Sequence, residues 1–277
     1  MLSLVFFLFG LAIGSFVNVL ALRYDGDHFL LNTKVIGGRS HCPHCKHQLR
    51  WFELVPVVSF FVQGGKCRHC KKTIGLHYPL VELLSGFIFV LVPLWLGGNL
   101  QLAVLWIMAF EILLLMTYID IRLQLVPDEL NVALAVVALF AAIVAVGYSG
   151  TENYSLLAPY AAPFGLQNNF WMSHLAGALF GAGFFVFLIL VTRGKGMGWG
   201  DVKLGLPLGF LFGWPDTLFI YATAFVAGGI IGGILLALKR KSMKSALPFV
   251  PFLAASAAFV FFFGAATLRA YFHIMGL

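Results

Sequence analysis

The sequence predicts an all-α integral membrane protein with about eight transmembrane or half-inserted helices and one polar insert after the first helix. Three observations predict it. Of 277 residues, 61% are hydrophobic and only 10% charged, with a mean hydropathy of +0.94; a soluble domain carries about 25% charged residues. Apolar stretches of roughly 18 residues or more, long enough to span a bilayer, recur at 1–22, 80–97, 101–120, 129–148, 172–192, 216–238 and 247–268, and a shorter one follows Asp201. The cations are also unevenly placed. Threading the helices in alternation leaves 98–100, 149–171 and 214–215 without Lys or Arg, whereas 23–79, 121–128, 193–203 and 239–246 hold 17 of the 18 basic residues.

Taken in order, the first run lacks a basic leader region and a small-residue cleavage site, so it reads as a retained helix. The basic side is cytoplasmic by the positive-inside rule, which puts the N-terminus outside. Only Arg269 departs from the pattern. The net charge of +7 is therefore explained by topology and calls for no nucleic-acid partner. Residues 23–79 are the one long polar segment, and 80–277 form a helical membrane domain with short connections. The stretch 149–171, nearly uncharged and rich in Pro and Gly, suits an outer-face loop. No internal repeat stands out.

The polar segment holds all four cysteines, as Cys42-Pro-His-Cys45 and Cys67-Arg-His-Cys70. Two C-x-x-C turns at this separation can direct four thiolates at one tetrahedral Zn2+. A reducing cytoplasmic face disfavours disulfides. The insert is thus expected to be zinc-ribbon-like, because so short a segment with few large apolar side chains needs a staple. His41, His44, His47 and His69 flank the turns as surface or outer-shell groups.

Ionisable residues at membrane boundaries are functional candidates by default. Glu82, behind Pro79, and Asp128 and Glu129, behind Pro127, are expected to open helices, where the macrodipole favours acids. Glu111 lies nine residues before Asp120, on the opposite helix face at about 100° per residue, and reads as a helix contact. Asp120 ends an apolar helix, where the macrodipole disfavours a carboxylate. Asp201 precedes a segment of some 12 apolar residues that would rise only ~18 Å as a helix, well short of a ~30 Å hydrocarbon core. Either that helix is half-inserted or its site is sunk below the membrane surface. Gly194, Gly196, Gly198 and Gly200 give its backbone unusual freedom. Asp120 and Asp201 emerge on one face from different helices. Two carboxylates sharing a proton can serve as general base and general acid, and equally as a proton or cation relay.

Gly198-Trp199-Gly200-Asp201 followed by Val202-Lys203-Leu204 resembles the GxGD motif of intramembrane aspartic peptidases. With Ile119-Asp120 and Val126-Pro127-Asp128 upstream, the chain is similar to bacterial prepilin peptidases. Gly14-Ser15-Phe16-Val17-Asn18-Val19 followed by Arg23, the paired cysteine turns with Gly64-Gly65-Lys66, and Tyr78-Pro79-Leu80-Val81-Glu82 match further signatures of that family. Val126 stands where Ile or Leu is usual, and His77 where Arg is common. The resemblance implies a bifunctional enzyme of the cytoplasmic membrane. It would cut the basic leader from prepilins and pseudopilins, substrates with an apolar N-terminal helix, and methylate the new amine using S-adenosylmethionine. By motif, Asp120 and Asp201 are the catalytic pair, with Gly198, Gly200, Lys203, Pro127 and Asp128 supporting. The resemblance associates methylation with 23–79, where no cofactor fingerprint is visible; relatives lacking that segment only cleave.

Two other classes are weighed beside this one. A proton- or cation-coupled transporter would need a polar path, for which only Asn18, Glu111 and His174 are on hand, and a scaffold would need neither aspartate. The glycines at 228, 229, 232 and 233 are candidates for a surface that receives a substrate helix, or for helix packing.

Overall fold

The computed structural model describes residues 2–30, 32–149, 169–194, 196–239 and 247–275. The expected outer loop and the basic 239–246 segment lie almost wholly outside them, as does Lys195. Among the described residues the regular elements are all helices, joined by turns and loops, and the extended pairing consists of two isolated antiparallel bridges. Seven helices are long and apolar enough to cross a membrane. They are α1 (Leu2–Arg23), α4 (His77–Trp95), α5 (Leu100–Leu123), α6 (Asp128–Ser149), α7 (Phe170–Thr192), α9 (Asp216–Ala237) and α10 (Val250–Met275). Two short helices, α2 (Thr33–Ile36) and α3 (Val58–Val62), lie in the polar segment, and α8 (Trp199–Phe212) is the short helix after the glycine-rich stretch. The chain divides into two compact units, 1–119 and 120–277, the boundary falling inside α5.

In the first unit α1 and α4 pack backbone to backbone. A methyl group on Gly10 would meet Gly86 Cα and Ser85 O at 2.8 Å, and one on Gly14 would meet Glu82 Cα at 2.7 Å. Ser85 Oγ closes the contact by donating to Gly10 O (2.7 Å). At the end of α1, the Arg23 guanidinium donates to the carbonyls of Val35 (3.3 Å), Gly37, Gly38 (3.3 Å) and Arg39 (3.2 Å). It thereby satisfies carbonyls that the end of α2 leaves free.

The second unit is organised around α8, which packs on α6 and α7 and buries Leu204 and Leu208 completely. Gly177 and Gly181 of α7 face Gly209 and Gly205 of α8, and a methyl group on any of the four would overlap the facing glycine's carbonyl oxygen. The helix ends are tied as well: Trp214 N–H donates to Ser173 O (3.0 Å) and Ser173 Oγ to Trp214 O (2.7 Å). His174, weighed above as part of an ion path, instead donates from Nδ1 to Phe210 O (2.6 Å) and stacks on Phe170. The close backbone contacts of this unit are thus made by glycines that sequence reasoning did not single out. Among the described residues, Gly229 and Gly233 meet nothing, and Gly228 and Gly232 make only side-chain contacts.

At an unconstrained helical position, replacing glycine by alanine gains about 1 kcal/mol. Gly205→Ala is expected to do the reverse and lose about 1–3 kcal/mol through overpacking, whereas Gly183→Ala, at a site open to at least 4 Å, should be neutral or stabilising. Thermal unfolding of both variants in detergent checks the pair, and equal melting temperatures would remove the backbone contact from any stabilising role.

Candidate active site

The facing glycines set a register. Gly177 lies opposite Gly209 and Gly181 opposite Gly205, and the next step places Asp201 level with Phe185. Phe185 is seven residues before the α7 end at Thr192, or roughly 10 Å of helix rise. Asp201 therefore lies well inside the end of its neighbour, as a short helix entered through a glycine-rich loop allows.

Local geometry explains the tetrad. Gly198 is the N-cap of α8, in extended conformation, and its N–H donates to Asp201 Oδ2 (3.3 Å). Gly200 sits against Val126, whose Cγ2 would lie 2.9 Å from an added methyl. Position 200 thus brings the start of α8 onto the segment that leads into α6. Across that junction Lys203 Nζ binds both oxygens of Asp128 (2.7 and 2.9 Å). Both groups are exposed, so the pair is worth about 0–1 kcal/mol; it sets direction more than stability. Asp128 does open α6, as expected, and Asn131 Nδ2 donates to Pro127 O (3.3 Å).

Asp120 is not a solvated boundary residue. It is buried, and its Oδ2 accepts the Val250 N–H at 3.0 Å. Val250 is the first residue of α10, so the carboxylate caps the positive end of that helix. The unfavourable dipole of its own helix is answered by the favourable dipole of another. Position 250 has no polar side chain to mark it, so sequence reasoning missed this partner.

An aromatic floor lies at this level. Phe185 packs on Tyr221 (centroids 4.8 Å) and Phe249 (6.0 Å), and Phe225 packs on Phe249 (4.9 Å). Tyr221 is fully buried and donates to Gly181 O (3.1 Å) beside the glycine contact. In these surroundings burial pushes the Asp201 carboxyl up to about 6, against the Gly198 N–H, and the negative charge of Asp120 pushes the same way. Two carboxylates coupled in this way do not ionise independently.

The other acids lie elsewhere. Both Glu111 oxygens are buried within the first unit. Glu82 does not open a helix: α4 begins at His77, and the buried Glu82 carboxylate accepts the Val57 N–H at 2.7 Å.

The four cysteines come together as predicted, with all four Sγ atoms within 4.8 Å of one another. Each turn has the same hydrogen bonds. Lys46 N–H donates to Cys42 O (2.9 Å), Cys42 N–H to His47 O (2.9 Å) and Leu49 N–H to Ser40 O (2.9 Å). Lys71, Cys67 and Ile74 repeat them onto Cys67, Lys72 and Gly65, each 25 residues on (67 − 42). Lys46 and Lys71 both have φ of 58°, and His47 stacks on His69 at 4.6 Å. The polar segment thus contains an internal repeat, CPHCKHQL against CRHCKKTI, that was present in the sequence and overlooked. Burial would raise the Cys42 thiol, but the Cys45 and His44 backbone N–H groups bring it down to about 7. A metal is well served by such a thiolate.

Comparison with known proteins covers both units. Residues 8–96 match the bacterial peptidase A24 N-terminal domain, and residues 107–233 match the type IV leader peptidase family. A prepilin leader peptidase/N-methyltransferase of Burkholderia pseudomallei is 33% identical, the match covering 92% of this chain and 83% of that protein. Proteins of the same name from Pseudomonas aeruginosa and Bacillus subtilis are 31% and 29% identical, covering 97% and 98% of this chain and 93% and 98% of theirs. No solved structure matches the chain. With matched segments in both units and full-length relatives at this identity, the chain belongs to the type IV leader peptidase family.

Proposed function

We propose that this multi-pass membrane protein is a bifunctional enzyme of the bacterial cytoplasmic membrane. It removes the leader from prepilins and pseudopilins and then methylates the exposed N-terminal amine with S-adenosylmethionine as donor. The relatives' names support both halves. What supports the peptidase half is that Asp120, bonded to the start of α10, and Asp201, in the first turn of α8, belong to one unit, where the charge of Asp120 helps raise the Asp201 carboxyl. No comparable support exists for an ion path or a purely structural role.

In this mechanism the dyad holds one proton. The ionised carboxylate takes a proton from water as its oxygen attacks the scissile carbonyl carbon. The protonated partner then supplies the proton that the leaving amine needs as the C–N bond breaks. The Val250 and Gly198 N–H groups keep the carboxylates oriented. Gly200 and the Lys203–Asp128 pair place the start of α8. The basic loops put this chemistry on the cytoplasmic face and the N-terminus outside. We divide the chain by role into a first transmembrane helix (1–22), the methylation-associated metal segment (23–79) and the membrane peptidase (80–277). Cys42, Cys45, Cys67 and Cys70 are assigned a structural Zn2+ with no step in catalysis.

Asp120→Asn and Asp201→Asn should each lower leader removal by about 10^3-fold or more, with normal insertion in the membrane. Cleavage of a purified prepilin by either variant at the wild-type rate would remove the dyad. The pH profile is a second check. Because Asp201 is raised to about 6, the shared proton is lost above that pH, and kcat/KM should decline as pH rises through it. A flat profile from about pH 5 to about pH 9 would exclude proton transfer by the pair. For the metal, elemental analysis should find one zinc per chain, and stripping it with a strong chelator should unfold 23–79 and abolish methylation before cleavage. A zinc-free preparation with the same melting curve would leave the cysteines without a structural metal.

A further inference from the structure

Within the first unit the cysteine turns and the facing ends of α1 and α4 enclose a cavity of about 600 Å3. Small-molecule sites occupy roughly 300–1,000 Å3. The membrane-side wall is built by two of the signatures read from sequence. Gly14 lets α4 approach α1, which brings Ser15 and Asn18 of one helix beside Tyr78 and Glu82 of the other. Asn18 Nδ2 donates to Tyr78 O (3.0 Å), and Glu82 Oε2 accepts the Val57 N–H (2.7 Å).

Two groups on this wall are incompletely matched. Glu82 is buried, yet it forms no ion pair with a cation among the described residues. Asn18 is 2% exposed, and its Oδ1 is buried with no donor among them. A buried carboxylate without a counter-charge and a buried acceptor without a donor are both costly arrangements, and both call for a cation bearing N–H groups. Away from Glu82 the lining carries Arg23, Arg39, Lys46 and Lys72 against one acid, Glu53, so it is basic on balance. The occupant that satisfies both walls carries positive charge and N–H donors at one part and a carboxylate at another.

We propose that this cavity is the S-adenosylmethionine site, with Glu82 as counter-charge to its cationic part and Asn18 Oδ1 as acceptor for one of its N–H groups. The proposal rests on the methylation reading above. A sulfonium suits a buried carboxylate because its charge cannot be discharged by losing a proton. The chemistry it supplies is methyl transfer: an N–C bond forms, the S–C bond breaks, a neutral thioether leaves, and the amine proton goes to solvent. The cavity lies at the ends of two apolar helices, a level that the amine at the tip of a membrane-embedded substrate helix can reach.

Full-length protein in detergent should bind S-adenosylmethionine by isothermal titration, and Glu82→Gln and Asn18→Leu should each weaken binding by at least about tenfold. Zinc content and melting temperature distinguish a folded variant from a collapsed one. Independently of any variant, ultraviolet irradiation of the wild type with methyl-labelled donor should label peptides from 39–54 or 72–82. If folded Glu82→Gln binds like the wild type, or if the label falls only outside those peptides, the site is wrong, even where the wild type still yields methylated product. A wild type that neither binds the donor nor methylates a cleaved pilin would overturn the methylation reading and the site with it.

Discussion

When two helices meet through glycines, their axes come close enough for the backbone of one to rest on the carbonyls of the other, with no side chain between. In the second unit this happens at Gly177, Gly181, Gly205 and Gly209, and most of the geometry around Asp201 follows from it. The contact fixes the register of α8 against α7, and the register fixes how deep Asp201 lies. Depth, with Phe185, Tyr221 and Phe249 below, sets the desolvation that raises the carboxyl. A side-chain-mediated contact would tolerate more sliding, since rotamers can change; a backbone contact has far less slack. The first unit uses the same device at Gly10 and Gly14, where the consequence is the placement of Glu82.

The polar segment solves a different problem. Its helices are only four and five residues long, too short to bury a core. Its order comes from two copies of one hydrogen-bonded turn, four converging sulfurs and the Arg23 fork onto the carbonyls of 35–39. None of these requires buried apolar area, and large apolar side chains such as Trp51, Phe61 and Val62 are left exposed.

What was legible in the sequence follows from what each signal encodes. Span length is written in apolar runs, and all seven long helices were found there. Metal-ligand spacing is local, so the cysteines were legible too, although their 25-residue repeat was missed because only the C-x-x-C cores were compared. Asp120 and Asp201 stood out as charges that their surroundings did not excuse. Contacts between distant positions were not legible. Asp120 is bonded to a residue 130 positions away through a main-chain N–H. Glu82 read as a helix opener because Pro79 looked like a boundary, whereas the helix starts at His77 and the acid turns inward to Val57. The glycines of α7 and α8 carried no mark of their own, since a glycine's place in the sequence says nothing about what lies opposite it.

The donor to Asp120 is a peptide group, and that changes how the position can vary. Any residue but proline at 250 supplies the same N–H, so the contact does not depend on the side chain, which is fully buried and constrained by packing instead. An alanine scan at this position would read the packing of the buried Val250 side chain and leave the hydrogen bond to Asp120 intact. The interaction is open to tests that alter the backbone itself, such as an ester in place of the 249–250 amide, which deletes the hydrogen and leaves every side chain as it was.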